Sequence, residues 1–226
     1  METTDKMQKK IEQGREYRLI TSIVAPTDDE KMVVEGYATT FNEPYHLYDT
    51  YNNMGAECEV KEQVDRHAFD RTDFGDCIMQ YDHEGVVFAR LSNKTLELDV
   101  DDKGLKVRAF LGGTANGRNL YEEIKGGYIT KMSFGFTVAE NGSKIEPDGN
   151  DYLRTIYDIK KLYDVSAVSI PANDYTEISA RNHIDGAIDE IETERIRLEE
   201  ERKALEEKKE NLVERLKALK ESKDEN

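Results

Sequence analysis

The chain has no tryptophan, only four prolines, two cysteines and four histidines among 226 residues, and nowhere do 18 apolar residues run together. Without such a run no membrane-spanning helix is expected, and the polar residues 1–10 argue against a secretory leader. The two cysteines, Cys58 and Cys77, make no metal or redox spacing and are expected to be free thiols of a cytosolic protein. No two histidines stand at a metal-binding spacing either, so no metal or other cofactor is expected. Positive charge is also short. Lys and Arg number 32 against 48 Asp and Glu, a net charge of -16. Such a surface repels phosphates, which argues against nucleic acid or an anionic membrane as partner and is compatible with a basic protein partner. The length suits one sizeable core plus an appendage.

What is present falls into unlike parts: a polar extension (1–15), a strand-rich domain (16–178) and a charged helical segment (179–226). Residues 16–24, 32–40 and 77–83 are rich in β-branched and aromatic side chains and read as strands. Leu96, Leu98 and Val100 alternate with polar residues, Asp101-Asp102-Lys103-Gly104 makes a turn, and Leu105, Val107 and Ala109 alternate back, which predicts a hairpin. A helix is predicted over 115–125, capped by Thr114 and ended by Gly126, with Leu120 and Ile124 on its apolar edge. Further strands are expected at 128–140 and at 162–170, the second closed by Pro171. Residues 64–70 read as helical, and the Gly- and Pro-bearing stretch 141–150 as a mobile connection. Many antiparallel strands with few helices suggest a small barrel or sandwich.

After His183 an apolar residue recurs every seventh position, at Ile184, Ile191, Leu198, Leu205, Leu212 and Leu219. The companion positions three residues on are Glu194, Glu201, Lys208 and Arg215, so only half of a coiled-coil seam is present. Opposite charges four apart, such as Arg197/Glu201 and Arg202/Glu206, support the helix locally. This predicts a long charged helix that associates weakly or with a partner, a detachable assembly handle joined by a cleavable linker over 173–185.

Three residues stand out chemically. Ser133 lies in a strand whose alternation puts Tyr128, Met132, Phe134, Phe136 and Val138 on one face and Lys131, Ser133, Gly135 and Thr137 on the other. A hydroxyl backed by aromatics, left open beside a glycine along which a peptide can lie, suits a nucleophile; it equally describes an ordinary serine on a solvent face. His83 ends a strand, as a positioned base would, or as a surface or core histidine would. Asp164 shares an otherwise mostly apolar strand face with Leu162, Ser166, Val168 and Ile170. A carboxylate there needs a donor, either an imidazole or a backbone amide. The order His, Ser, Asp and the lack of a Gly-x-Ser-x-Gly elbow set the chain apart from lipases and esterases.

Taken together, Val34-Glu-Gly-Tyr-Ala-Thr-Thr-Phe41, Tyr81-Asp-His-Glu-Gly85, Leu96-Glu-Leu-Asp-Val100 with Gly104-Leu-Lys-Val107, Gly127-Tyr-Ile-Thr-Lys-Met-Ser-Phe-Gly-Phe136 and Asp164-Val-Ser-Ala-Val-Ser-Ile-Pro-Ala172 resemble the prohead maturation protease family of tailed double-stranded-DNA phages. The resemblance covers residues 16–179, about three quarters of the chain. It implies a mainly β fold, a small assemblin-like β-barrel like that of herpesvirus capsid proteases, followed by the helix. It also implies a serine endopeptidase acting inside the immature prohead in the host cytoplasm, on scaffolding protein or the scaffolding extension of the major capsid protein, and on itself. The family's histidine falls on His83 and its serine on Ser133. Asp164 fits the third place, with Asp82, Glu84, Ser166 or a second histidine as alternatives. Backbone amides near Lys160-Lys161 are a candidate oxyanion hole. Self-association through the C-terminal helix is a further expectation. The rival from another class is a non-catalytic scaffolding protein with a β-domain and a helical arm.

Overall fold

A computed structural model of the chain describes residues 8–28, 30–52, 55–169 and 173–224. In chain order the elements are β1 (Glu16–Asp28), β2 (Val33–Thr40), β3 (Tyr45–Tyr51), β4 (Glu57–Val64), β5 (Ile78–Tyr81), β6 (Glu84–Arg90), β7 (Leu96–Val100), β8 (Gly104–Phe110), α1 (Ala115–Lys125), β9 (Lys131–Val138), β10 (Ser143–Asp148), β11 (Asp151–Ile156), β12 (Ile159–Val168) and α2 (Asn173–Asp224). Residues 8–12 form a short helical turn ahead of β1.

Eight strands hydrogen-bond in the order β6-β5-β12-β9-β1-β2-β8-β7, and four more in the order β10-β11-β4-β3. The long β1 belongs to two ladders: its first half pairs with β9 and its second half with β2, so by ladder there are three sheets. The fold is therefore mainly β with a long C-terminal helix. The expected barrel is not closed among the described residues. The edge strands β6 and β7 share no ladder; Arg90, at the end of β6, and Thr95, just before β7, exchange two hydrogen bonds (Thr95 N–H to Arg90 O 3.2 Å, Arg90 N–H to Thr95 Oγ1 2.9 Å). Val86, Val87 and Val100 on those edges remain exposed.

The hairpin β7–β8 and helix α1 form where the pattern predicts them. Asp101 Oδ1 accepts from the Lys103 and Gly104 amides (2.8 and 3.0 Å) and shapes the turn. Thr114 Oγ1 accepts from Gly117 N–H (3.0 Å), and Leu120, Tyr121 and Ile124 bury one face of α1 in the main core. That core is built from Val34, Leu105, Val107, Met132, Phe134, Phe136 and Leu162, among others. Two expectations fail. Residues 66–71 make turns rather than a helix. The supposed mobile connection is the edge strand β10, paired with β11 from Ser143↔Ile156 to Asp148↔Asp151. Its polar residues and Pro147 disguise it, yet an edge strand tolerates both.

The four-stranded sheet is tied to β1 by a buried ionic cluster. Arg18 reaches Glu62 (Nε–Oε1 2.6 Å) and Glu16 (Nη2–Oε2 2.5 Å), while Arg154 donates to Glu16 (2.6 Å) and Glu62 (2.8 Å). Burial opposes charge on Arg18, but the two glutamates outweigh it and hold the guanidinium charged.

The C-terminal helix is not detachable along its whole length. It begins at Asn173, so the stretch expected to be a linker is helical; the side chains at 173–180 and residues 170–172 lie outside what is described. Ile184 and Ile188 are buried against Leu47, Tyr48, Cys58, Val60 and Tyr152. Tyr48 donates to Asp185 and Tyr152 to Glu192, both at 2.7 Å. Beyond Glu192 the helix leaves the sheet: Leu198, Leu205 and Leu212 are exposed.

Candidate functional site

β5 stops at Tyr81, and Asp82-His83 form a two-residue hairpin turn into β6, with Tyr81 opposite Glu84. Both turn residues have left-handed backbones (φ 48° and 61°), as a primed hairpin turn requires. Neither is glycine, so this conformation costs on the order of 1 kcal/mol per residue. The strain delivers the His83 imidazole to the sheet surface rather than leaving it at a strand end.

Ser133 sits mid-β9, opposite Leu19 of β1 on one side and Ser166 of β12 on the other. Met132, Phe134 and Phe136 point into the core, as alternation predicts. Asp164 reaches the face of Ser133 by an irregularity invisible in the sequence. Leu162 is opposite Phe136, but Asp164 is opposite Gly135, so β12 carries one extra residue there, a β-bulge. The bulge reverses the alternation. Leu162 stays in the core with Val165 and Ala167, whereas Asp164 and Ser166 turn to the Ser133 side. The expectation that Leu162 and Asp164 share a face is corrected accordingly.

The three side chains form one hydrogen-bonded line. Ser133 Oγ donates to His83 Nε2 (2.7 Å), and His83 Nδ1–H donates to Asp164 Oδ1. Ser166 Oγ donates to the same carboxylate oxygen (2.9 Å). Burial pushes the Asp164 carboxyl up, but the facing His83, the Ser166 hydroxyl and the Arg15 guanidinium outweigh it and hold Asp164 below the usual carboxylate range. Of the other third-member options, Ser166 lies in the site but bonds Asp164 rather than His83, and the rest make other contacts. Asp82 accepts from the Ser169 amide and hydroxyl (3.0 and 2.9 Å), and Glu84 pairs back to Tyr81. His46 and His67 are exposed partners of Asp49 and Asp70. The His183 side chain lies outside the described residues. Lys160 and Lys161 are also remote. Lys161 stands opposite Thr137, four residues along β9 from Ser133 or about 13 Å.

Sequence reasoning missed the residues ahead of and within early β1. Tyr17 sets its ring edge-on to His83 (4.5 Å between centroids). Lys10 Nζ donates to the His83 carbonyl (3.0 Å), and Arg15 Nη1 lies 3.8 Å from Asp164 Oδ2. Nothing in the polar 8–15 stretch signals this role, because it depends on where the chain folds back. Ser133 is 3% exposed and His83 1%, so the hydroxyl is covered rather than open as alternation implied. Gly135 also has another purpose than expected. A Cβ there would meet Asp164 Oδ2 at 2.6 Å and the Tyr17 ring at 2.9 Å, so the glycine makes room for the carboxylate.

Cys58 and Cys77 are buried free thiols, and burial, then the Asp164 charge, push the Cys77 thiol well up. Among the described residues no group of three or more His, Cys, Asp or Glu is placed to hold a metal, and no helix is long and apolar enough to cross a membrane.

A serine, a histidine and a carboxylate in hydrogen-bonded sequence can transfer a proton from hydroxyl to imidazole as the oxygen attacks a carbonyl. Comparison with known proteins agrees with that chemistry. The model of the Caudovirus prohead serine proteases matches residues 19–189, well over half of the chain. The chain belongs to this family. The prohead protease of Enterobacteria phage HK97 is 34% identical over 104 residues, covering 42% of this chain and 44% of that protein. This family member thus spans less than half the length of the curated relative it matches. No solved structure matches it significantly. The family match contains His83, Ser133 and Asp164, but begins after Lys10, Arg15 and Tyr17.

Proposed function

We propose that this chain is a prohead maturation serine endopeptidase in which Ser133 is the nucleophile, His83 the general base and Asp164 the residue that orients the imidazole. The supporting observation is the unbroken line from Ser133 Oγ through His83 to Asp164, made by three elements distant in sequence. His83 Nε2 takes the Ser133 proton as Oγ attacks the scissile carbonyl carbon. Collapse of the tetrahedral intermediate, with that proton passed to the leaving amine, gives an acyl-enzyme. Water, activated by the same nitrogen, then releases the acid and restores Ser133. Asp164 stabilises the transient imidazolium and fixes the tautomer with Nδ1 protonated. Backbone amides would stabilise the oxyanion.

Residues 16–178 are the catalytic domain in this reading, an open form of the assemblin-like barrel. The substrates are scaffolding protein or the scaffolding extension of the major capsid protein, and the chain itself, inside the immature prohead. The exposed leucine stripe beyond Glu192 suits association with a scaffold or a second copy. Because Ser133 and His83 are buried, a peptide reaches the hydroxyl only after part of the surrounding chain moves; Lys10, bonded to the His83 carbonyl, is one residue of that surround.

A fluorophosphonate probe applied to the full chain tests the assignment. Labelling of wild type at Ser133, lost in a folded Ser133→Ala variant together with cleavage of co-expressed scaffold, is the expected result. Scaffold processing that persists in Ser133→Ala refutes the nucleophile. A folded wild type that neither labels nor cleaves points instead to the non-catalytic scaffolding role.

A further inference from the structure

The Asp164 carboxylate is held asymmetrically. Oδ1 accepts from both His83 and Ser166, whereas Oδ2 is buried and accepts no hydrogen bond among the described residues. Hydrogen bonds to one oxygen alone restrain rotation about the Cβ–Cγ bond less than bonds to both, and rotation would take Oδ1 away from His83 Nδ1. Something must fix its plane.

The groups facing Asp164 come from several elements: Lys10 from the helical turn 8–12, Arg15 just ahead of β1, Tyr17 from β1, Cys77 before β5, His83 from the turn and Ser166 from β12. Burial keeps the Tyr17 phenol and the Cys77 thiol neutral. The Lys10 ammonium is engaged by the His83 carbonyl. The cation beside Oδ2 is Arg15, 3.8 Å away and 19% exposed. Its guanidinium is itself anchored, 3.7 Å from the centroid of the Tyr163 ring. Arg15 immediately precedes β1, and its amide donates to the Lys10 carbonyl (3.1 Å), which fixes the start of its side chain beside the site.

We infer that Arg15 is a positioning residue of the site: stacked on Tyr163, its guanidinium fixes the carboxylate plane of Asp164 and through it the His83 ring. The inference rests on the proposed roles of Ser133, His83 and Asp164, and it adds a residue outside the family match. Its charge has a second effect. A cation beside the His83–Asp164 pair opposes proton uptake by that pair, so removing it lets the pair hold a proton to higher pH.

The test is the rate of fluorophosphonate labelling of the full chain, followed from pH 5 to 9, for wild type, Arg15→Gln, Arg15→Lys and Tyr163→Leu. Arg15→Gln should label at least about tenfold more slowly at neutral pH. Its half-maximal pH should rise by about one unit, with a melting temperature close to wild type. Arg15→Lys should restore most of the pH dependence, since the charge returns without the stack. Tyr163→Leu should shift in the same direction by less. A folded Arg15→Gln or Tyr163→Leu variant with the wild-type rate and pH profile overturns the inference while leaving the nucleophile assignment intact. Failure of wild type to label at Ser133 overturns both.

Discussion

Gly135 and Asp164 face each other across β9 and β12 so closely that a methyl group at 135 would occupy the position of the carboxylate: the built Cβ lies 2.6 Å from Oδ2. Gly135→Ala is therefore expected to push Asp164 off His83. The overpacking should cost about 1–3 kcal/mol of stability. Displacing the carboxylate should slow labelling of Ser133 by up to roughly 10²-fold. Chemical denaturation and the labelling rate, measured on the same protein, check the two effects separately.

Asp164→Asn should lower activity at neutral pH by roughly 10³–10⁴-fold while staying above His83→Ala, because the amide favours the wrong imidazole tautomer. The substitution should also change acid stability. The folded-state pKa of Asp164 is depressed below its ordinary 3.8, so the ionised group contributes stability that is fully present above that value. That contribution is lost as pH falls through the lower folded-state value. Urea midpoints between pH 6 and pH 2.5 should fall less steeply for Asp164→Asn than for wild type, and equal slopes would contradict the depressed value.

The cluster of Glu16, Arg18, Glu62 and Arg154 holds two cations and two anions with almost no access to water. Arg154→Ala leaves one buried cation, Arg18, facing two buried glutamates, and breaking a buried pair in this way costs about 3–5 kcal/mol. Arg197→Ala removes an exposed helix pair with Glu194 and should leave the denaturation midpoint unmoved. Comparable losses in the two variants would show that the buried cluster is not holding β1 against the second sheet.

Truncation should divide the C-terminal helix at about residue 196. A chain ending there keeps Ile184, Ile188 and Glu192 against the sheet and should melt close to wild type. A chain ending at 182 loses both isoleucines from a packed site, a loss on the order of 4 kcal/mol or more. Equal melting temperatures for the two truncations would mean that the helix is an appendage from its start. Only the shorter deletion tests the distal half as an assembly handle without damaging the core.

Much of the architecture was legible along the chain because it is local. The β7–β8 hairpin follows from alternation plus the Asp101 turn, and α1 follows from Thr114, Leu120, Ile124 and Gly126, all within one element. The half-seam of the C-terminal helix is equally plain. Strand β10 escaped because an edge strand makes few demands on its side chains. Ser133 and His83 were legible as chemistry only through the short motifs around them, since a serine in a strand and a histidine near a turn are common.

The sequence by itself determined which residues alternate, where the hairpin turns and helix caps fall, and that a serine, a histidine and an aspartate occur in the motifs of a known family. Tertiary structure alone decided that these three meet. Asp164 faces Ser133 because a bulge in β12 reverses its side chains, and a bulge is a property of two paired strands. His83 reaches Ser133 because β5 pairs in parallel with β12, 80 and more residues away in the chain. The cover from Lys10, Arg15 and Tyr17, the room left by Gly135 and the docking of Ile184 and Ile188 depend likewise on contacts between distant segments. One-dimensional periodicity records which way a side chain points from its own strand; what it then meets is set by pairing and packing in three dimensions.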